Sequence, residues 1–269
     1  MELALGLEQT DQYLAFEAAG AARKLVEEVM LVRPGENMLI TVDTMGDRRV
    51  AELIAQAAYA ARAIPTLVVY PTSSAPVTEP PPPVAGAAAR AQVWIELAVA
   101  YLLHTVAYRA ALAAGCRYIC LTGMDVDMLV RCIGRVDYSK LLALGETLQR
   151  IVAKANEVRV TSPAGTDLVA YNRGRRVRHA GKLADTPGEP IMLGGQISWC
   201  PVESTIEGIL VFDGALWPPT ELGRLTSPVK LEVHEGVIVA VRGGAEALVF
   251  ERWLKSFGDP NMYRIAHYS

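Results

Sequence analysis

The chain has 269 residues, of which 51% are hydrophobic, 20% charged and 7% aromatic, and its 26 basic against 29 acidic side chains give a net charge of −3. At about 150 residues per domain this is one large or two modest domains with ample apolar material for a core, which excludes a disordered tail and a collagenous chain. Nearly balanced charge supplies no overall positive field to hold a polyanion, so nucleic acid is set aside as a partner.

Residues 1–9 carry Glu2 and Glu8 and lack the basic and apolar regions of a secretory signal, from which we expect a cytoplasmic protein. Apolar residues at helical spacing over 9–32 predict a helix, stopped by Arg33-Pro34-Gly35. A strand follows over 38–42, then a helix over 47–62 with Asp47 as its N-cap, then a strand over 66–70. The turn-rich stretch 71–76 and the proline tract 80–83 read as an extended surface connector. Strands are expected over 93–97 and 118–121, with a helix over 101–114 between them. The apolar stretch 91–114 contains Glu96, His104 and Arg109, charges too costly at a bilayer centre, so it is no membrane span. Leu141, Leu144, Leu148, Ile151 and Val152 line one face of a helix over 138–156. Such strands, buried on both faces and separated by helices, predict an α/β fold: a doubly wound, mostly parallel sheet with helices on both faces.

Past residue 160 the texture changes to turn-rich segments and alternating runs at 205–212 and 229–241, the latter interrupted by a hairpin turn at His234-Glu235-Gly236. We therefore expect an N-terminal α/β domain over 1–160 and a β-rich α+β domain over 161–269. A helix is predicted over 245–257. Residues 263–269 look like a strand cut by the end of the chain, which suggests a C-terminally incomplete domain. Cys116, Cys120, Cys132 and Cys200 read as small core residues of a reducing compartment. Cys116 and Cys120 flank a strand that holds their sulfurs roughly 13 Å apart, too far to clip one metal ion.

Chemistry is sparse. No glycine-rich phosphate loop and no Gly-x-Ser-x-Gly elbow occurs. His104 lies in an apolar run and is either a hydrogen-bonded structural residue or, if it faces a crevice, an acid or base. His179 ends the basic run Arg173, Arg175, Arg176 and Arg178, which alternates like a solvated hairpin, with an anion clamp as the alternative. His234 belongs to an exposed turn. His267, between Ala266 and Tyr268, sets an imidazole in an apolar strand, and a neutral ring nitrogen is a preferred ligand for ferrous iron or zinc. The stretch from Gly194 to Gly208, with Gln196 and Glu203, forms either a site wall or an ordinary bend.

Thr161-Ser162-Pro163-Ala164-Gly165-Thr166-Asp167-Leu168, the stretch from Gly194 to Gly208 with Val211-Phe212-Asp213-Gly214, and Arg264-Ile265-Ala266-His267-Tyr268-Ser269 together carry a resemblance. The chain resembles the aminopeptidase T-like metalloproteins and, within them, the 2,5-dihydroxypyridine 5,6-dioxygenases of nicotinic acid degradation. Gln196 stands where the dinuclear aminopeptidases have a metal-binding glutamate, and His267 where they have another. Both changes favour the dioxygenase branch and a softer, nitrogen-containing mononuclear site. The resemblance implies ring opening of 2,5-dihydroxypyridine by dioxygen to N-formylmaleamate, with mononuclear ferrous iron, Fe(2+), as cofactor and a homo-oligomeric assembly. It makes His267 a metal ligand, and places the remaining ligands, a histidine and an aspartate, downstream of Ser269. Residue type and motif position suggest Gln196 as a substrate contact and His104 and Glu203 as catalytic groups. The alternatives are an aminopeptidase with a divergent site and an inactive fragment of such a protein.

Overall fold

The alternation of helix and strand is realised in the computed structural model, which describes residues 14–193, 195–219 and 221–269. Helix α1 (Ala15–Lys24) runs on into a π-helical turn (Leu25–Val29), and residues 9–13 of the expected helix lie outside the described residues. There follow β1 (Asn37–Asp43), α2 (Arg48–Ala60), β2 (Ile64–Tyr70), α3 (Pro82–Ala88), β3 (Val93–Glu96), α4 (Val106–Ala113) and β4 (Arg117–Cys120). A short α5 (Val126–Met128) continues as a second π-helical turn (Leu129–Gly134) before α6 (Tyr138–Lys154). The remainder is mostly strand: β5 (Glu157–Thr161), β6 (Asp167–Tyr171), β7 (Val177–His179), β8 (Pro190–Ile191), β9 (Ile197–Trp199), β10 (Glu207–Phe212), β11 (Ala215–Leu216), β12 (Gly223–Arg224), β13 (Val229–His234) and β14 (Val237–Gly243), closed by α7 (Ala245–Ser256). No helix among the described residues is long and apolar enough to cross a membrane.

Two compact units result, Met1–Leu144 with Ala180–Gln196, and Gly145–His179 with Ile197–Ser269. The boundary expected near residue 160 lies inside the second unit, and residues 180–196 return to the first.

The first unit holds a parallel five-stranded sheet in the order β2-β1-β3-β4-β8. Every residue of β1 after Asn37 is buried, as a strand covered on both faces requires. Ile40, Val42, Ile95 and Ile119 pack with Leu25, Val26 and Ile54 in one cluster, while Leu39, Trp94 and Tyr118 pack with Ala88, Leu102 and Tyr108 in another. These two clusters are the opposite faces of a doubly wound sheet, as the sequence predicts. Asp47 does cap α2, accepting from the Arg49 N–H at 3.1 Å.

Three expectations are corrected here. The proline tract is not all connector, because Pro82 opens α3, where its missing N–H costs nothing. The helix expected over 101–114 starts only at Val106: Thr105 caps it, accepting from the Tyr108 N–H at 3.1 Å, and His104 just before has a left-handed φ of 72°. Only Cys116 of the four free cysteines is buried; Cys120 is half-buried, and Cys132 and Cys200 are exposed.

The second unit is an antiparallel five-stranded sheet in the order β14-β13-β10-β6-β5. The expected turn joins β13 to β14, with Glu235 and Gly236 at φ 50° and 76°, the paired positive values of a type I′ hairpin. Ala247, Phe250 and Leu254 of α7 pack against Val229, Leu231 and Val233. The strand expected over 263–269 does not form. Asp259 accepts from the Asn261 N–H at 2.8 Å and starts a 3-10 turn (Pro260–Tyr263), after which the chain pairs only at single bridges, Arg264 with Val237 and Tyr268 with Trp199.

Candidate functional site

In the first unit the strand order reverses at β1, which is flanked by β2 on one side and β3 on the other; parallel sheets commonly place ligands beyond the carboxyl ends at such a point. Here protein groups occupy it. Asp43, the last residue of β1, is buried and accepts from the N–H groups of Gly46 at 2.9 Å and Ala100 at 3.1 Å. Glu96, the last residue of β3, is fully buried and accepts from the Leu102 N–H at 2.7 Å and from the Tyr118 hydroxyl. Burial pushes the Glu96 carboxyl up to about 7, against the opposing pull of the Tyr118 and Leu102 hydrogen bonds. Tyr70 ends β2 with its hydroxyl buried and without a hydrogen-bond partner among the described residues, its pKa raised by burial and then by the Glu96 and Asp43 charges. Sequence reasoning passed over Asp43 and Glu96 as site residues; an acidic side chain ending an otherwise apolar strand was the available signal.

Through Ala100 and Leu102 these two carboxylates pin the loop that leads to His104. His104 is exposed on its turn, with its ring edge-on to Tyr108 at 6.0 Å between centroids and its carbonyl accepting from Arg109 Nη1 at 2.7 Å. Gln196 is half-buried, and its carbonyl accepts from the Ala180 N–H at 3.0 Å. Gly194, the start of the glycine motif, lies outside the described residues.

In the second unit β7 and β9 form a two-stranded antiparallel ribbon that pairs Val177 with Trp199 and Arg178 with Ser198. Trp199 exchanges backbone hydrogen bonds of 3.0 and 2.9 Å with Tyr268, and their rings meet edge to face at 5.6 Å. This bridge fixes the exposed His267 on the rim of a cleft of about 540 Å³, lined also by Arg175, Arg176, Arg178, Ser198 and Trp199. Glu203, in a 3-10 turn (Glu203–Thr205), pairs with Arg175. A hydrogen bond from its own backbone N–H and then the Arg175 charge hold its carboxyl below the usual range, so it is ionised at neutral pH. Glu203 and His267 thus meet the same cleft, Glu203 by way of Arg175, whereas His104 and Gln196 belong to the first unit.

Among the described residues no three His, Cys, Asp or Glu side chains converge to hold a metal ion. His267 offers one nitrogen, and the guanidinium groups beside it oppose a bare cation. By themselves these residues do not fit a mononuclear metal centre.

The family model of 2,5-dihydroxypyridine 5,6-dioxygenase, NicX, matches residues 23–268. The chain belongs to that family. It is 32% identical over 170 residues to the 2,5-dihydroxypyridine 5,6-dioxygenase of Pseudomonas putida, a match that covers 62% of this chain and 47% of that protein, about half the length of the curated relative. The solved structure of the 2,5-dihydroxypyridine dioxygenase from Pseudomonas putida superposes with a TM-score of 0.71 at 22% identity, over 93% of this chain and 74% of that one. Wild-type AmpT from Thermus thermophilus superposes with a TM-score of 0.62 at 17% identity, over 94% and 77%. At these identities the two structures establish a shared fold, mixed α/β with an antiparallel partner sheet. The resemblance read from the sequence is thereby confirmed for the family and for its relation to the aminopeptidase T fold.

Proposed function

We propose that the protein opens the ring of 2,5-dihydroxypyridine with dioxygen, giving N-formylmaleamate in the breakdown of nicotinic acid. The observation that carries this reading is the family match over residues 23–268, which spans Gln196, Glu203 and His267. Likeness to AmpT is one of fold at 17% identity and lends no weight to a peptidase.

In this reading a non-haem ferrous ion is the cofactor and His267 one of its ligands, on the strength of residue type at the family motif. A complete coordination sphere needs donors that the described residues do not bring to this cleft. Gln196 is half-buried, and the donors and acceptor of its carboxamide match the hydroxyl and ring nitrogen of a dihydroxypyridine. His104, an exposed imidazole on a turn pinned by Asp43 and Glu96, would act as the base that accepts a proton from a substrate hydroxyl. Glu203 enters as an ionised carboxylate that holds Arg175. Cytoplasmic location and homo-oligomeric assembly are carried forward on composition and family resemblance.

Loading the protein with ferrous iron without air, then adding 2,5-dihydroxypyridine and air, tests the reading. The expected result is loss of the ring absorbance with matching oxygen uptake, and loss of bound iron in His267→Ala. No ring loss and no oxygen uptake in the iron-loaded protein overturns it; release of leucine from a dipeptide in cobalt or zinc replaces it with the peptidase.

A further inference from the structure

Two residues of the first unit hold backbone shapes that their side chains disfavour, and one hydrogen bond ties their turns together. His104 has a left-handed φ of 72°, and Val77, on the loop between β2 and α3, has φ 62°, a genuine outlier for a β-branched residue. Strain of this kind persists only where the surroundings over-determine it, and it gathers at functional sites. The Val77 N–H donates to the Tyr101 carbonyl at 2.8 Å, and the Thr78 hydroxyl closes the Val77 turn by donating to the Ala75 carbonyl at 2.8 Å. Next in the chain, the Glu79 carboxylate accepts from the N–H of Val106 and, at 3.1 Å, from that of Ala107, the first two residues of α4. A negative charge is favourable there. Folding has no need of it, however. Thr105 already caps α4 locally, and Glu79 and Val106 are both exposed, so water can serve the Val106 N–H. What a side chain 27 residues before Val106 adds is position. Asp43 and Glu96 anchor the chain before His104, at Ala100 and Leu102, and Glu79 anchors it after, so the strained turn lies between two fixed ends.

We propose that Glu79 is a positioning residue for His104: by clamping the start of α4 it fixes the turn from which the imidazole meets the substrate. It acts through backbone N–H groups. This inference rests on the reading of His104 as the base of the ring-opening reaction.

Turnover of the iron-loaded protein and amide exchange of the metal-free protein test it together. Glu79→Ala lowers kcat by about tenfold and leaves KM within about twofold, because the base is displaced while substrate contacts stay. In a His104→Ala background the same substitution causes no further loss, a coupling that general damage to the fold does not produce. The urea midpoint stays close to that of the parent, as an exposed contact implies. Hydrogen exchange, read by mass spectrometry without metal, quickens at least about tenfold over residues 102–108 and is unchanged over β1. Full kcat in the folded Glu79→Ala variant, an undiminished loss in the His104→Ala background, or unchanged exchange over 102–108 overturns the proposal. Failure of the underlying reading looks different: the parent opens no ring, or His104→Ala alone keeps full kcat.

Discussion

Arg117 in the first unit and Arg159 in the second both pair with a carboxylate, and the settings of the two pairs separate the units. Arg117 is 4% exposed; it pairs with Glu36 and donates to the carbonyls of Met30, Leu31 and Ala184 at 2.9, 3.0 and 3.1 Å. Arg159 is exposed on β5 and makes a two-pronged contact with Asp167, both bonds 2.7 Å. A parallel sheet covered on both faces leaves no water for the polar groups at its strand ends, so protein must satisfy each of them. An antiparallel sheet with a wet face leaves that task to solvent, and its ion pairs are optional.

Breaking the buried pair has the largest expected effect. Arg117→Ala strands Glu36 and frees three carbonyls, costing about 3–5 kcal/mol in urea unfolding of the whole protein. A loss no larger than that of a surface variant would erase the contrast between the units.

Next comes Glu96. Its carboxyl is raised in the folded protein to about 7 from an ordinary 4.5, so the folded state holds the proton more tightly than the unfolded one. The stabilisation is fully present below about pH 4.5 and is lost as pH rises through about 7, a change on the order of 3 kcal/mol. Glu96→Gln keeps an acceptor for Leu102 and Tyr118 and removes the titration. Unfolding midpoints followed between pH 5 and 8 should therefore fall in the parent and run flatter in the variant; parallel curves would show that the carboxyl does not titrate there.

Smallest is Asp167→Asn. The exposed pair with Arg159 is screened, and the urea midpoint should stay within measurement error at low and high salt alike.

Periodicity made much of the fold readable. Residues 38–42 and 47–62 became β1 and α2 with the cap at Asp47, because a buried strand and an amphipathic helix each repeat a signal several times. The pair Pro190–Ile191 carries no period, so β8 was invisible. The turn at His104 was hidden because Thr105, its cap, sits inside an uninterrupted apolar run. The cleft was readable residue by residue but not as a cluster. His267 reaches the arginines of the 175–178 run only because Tyr268 bridges to Trp199 and Trp199 pairs with Val177, two contacts between segments far apart in sequence. The family was legible because motifs preserve residue type, whereas convergence in space is a property of the folded chain.

The interrupted course of the first unit sets a timetable for its assembly. Strand β4 is complete at Cys120, yet its partner β8 ends at Ile191, after the chain has made the excursion through residues 145–179. At a ribosomal pace of roughly 5–20 residues per second, the intervening stretch of about 70 residues takes several seconds to emerge. For that interval the nascent sheet has a bare edge of unpaired backbone groups, and Arg117 lacks the Ala184 carbonyl it later holds. The edge of β4 is thus exposed while residues 121–191 are being made, and a chaperone that covers one strand edge protects the sheet over that interval.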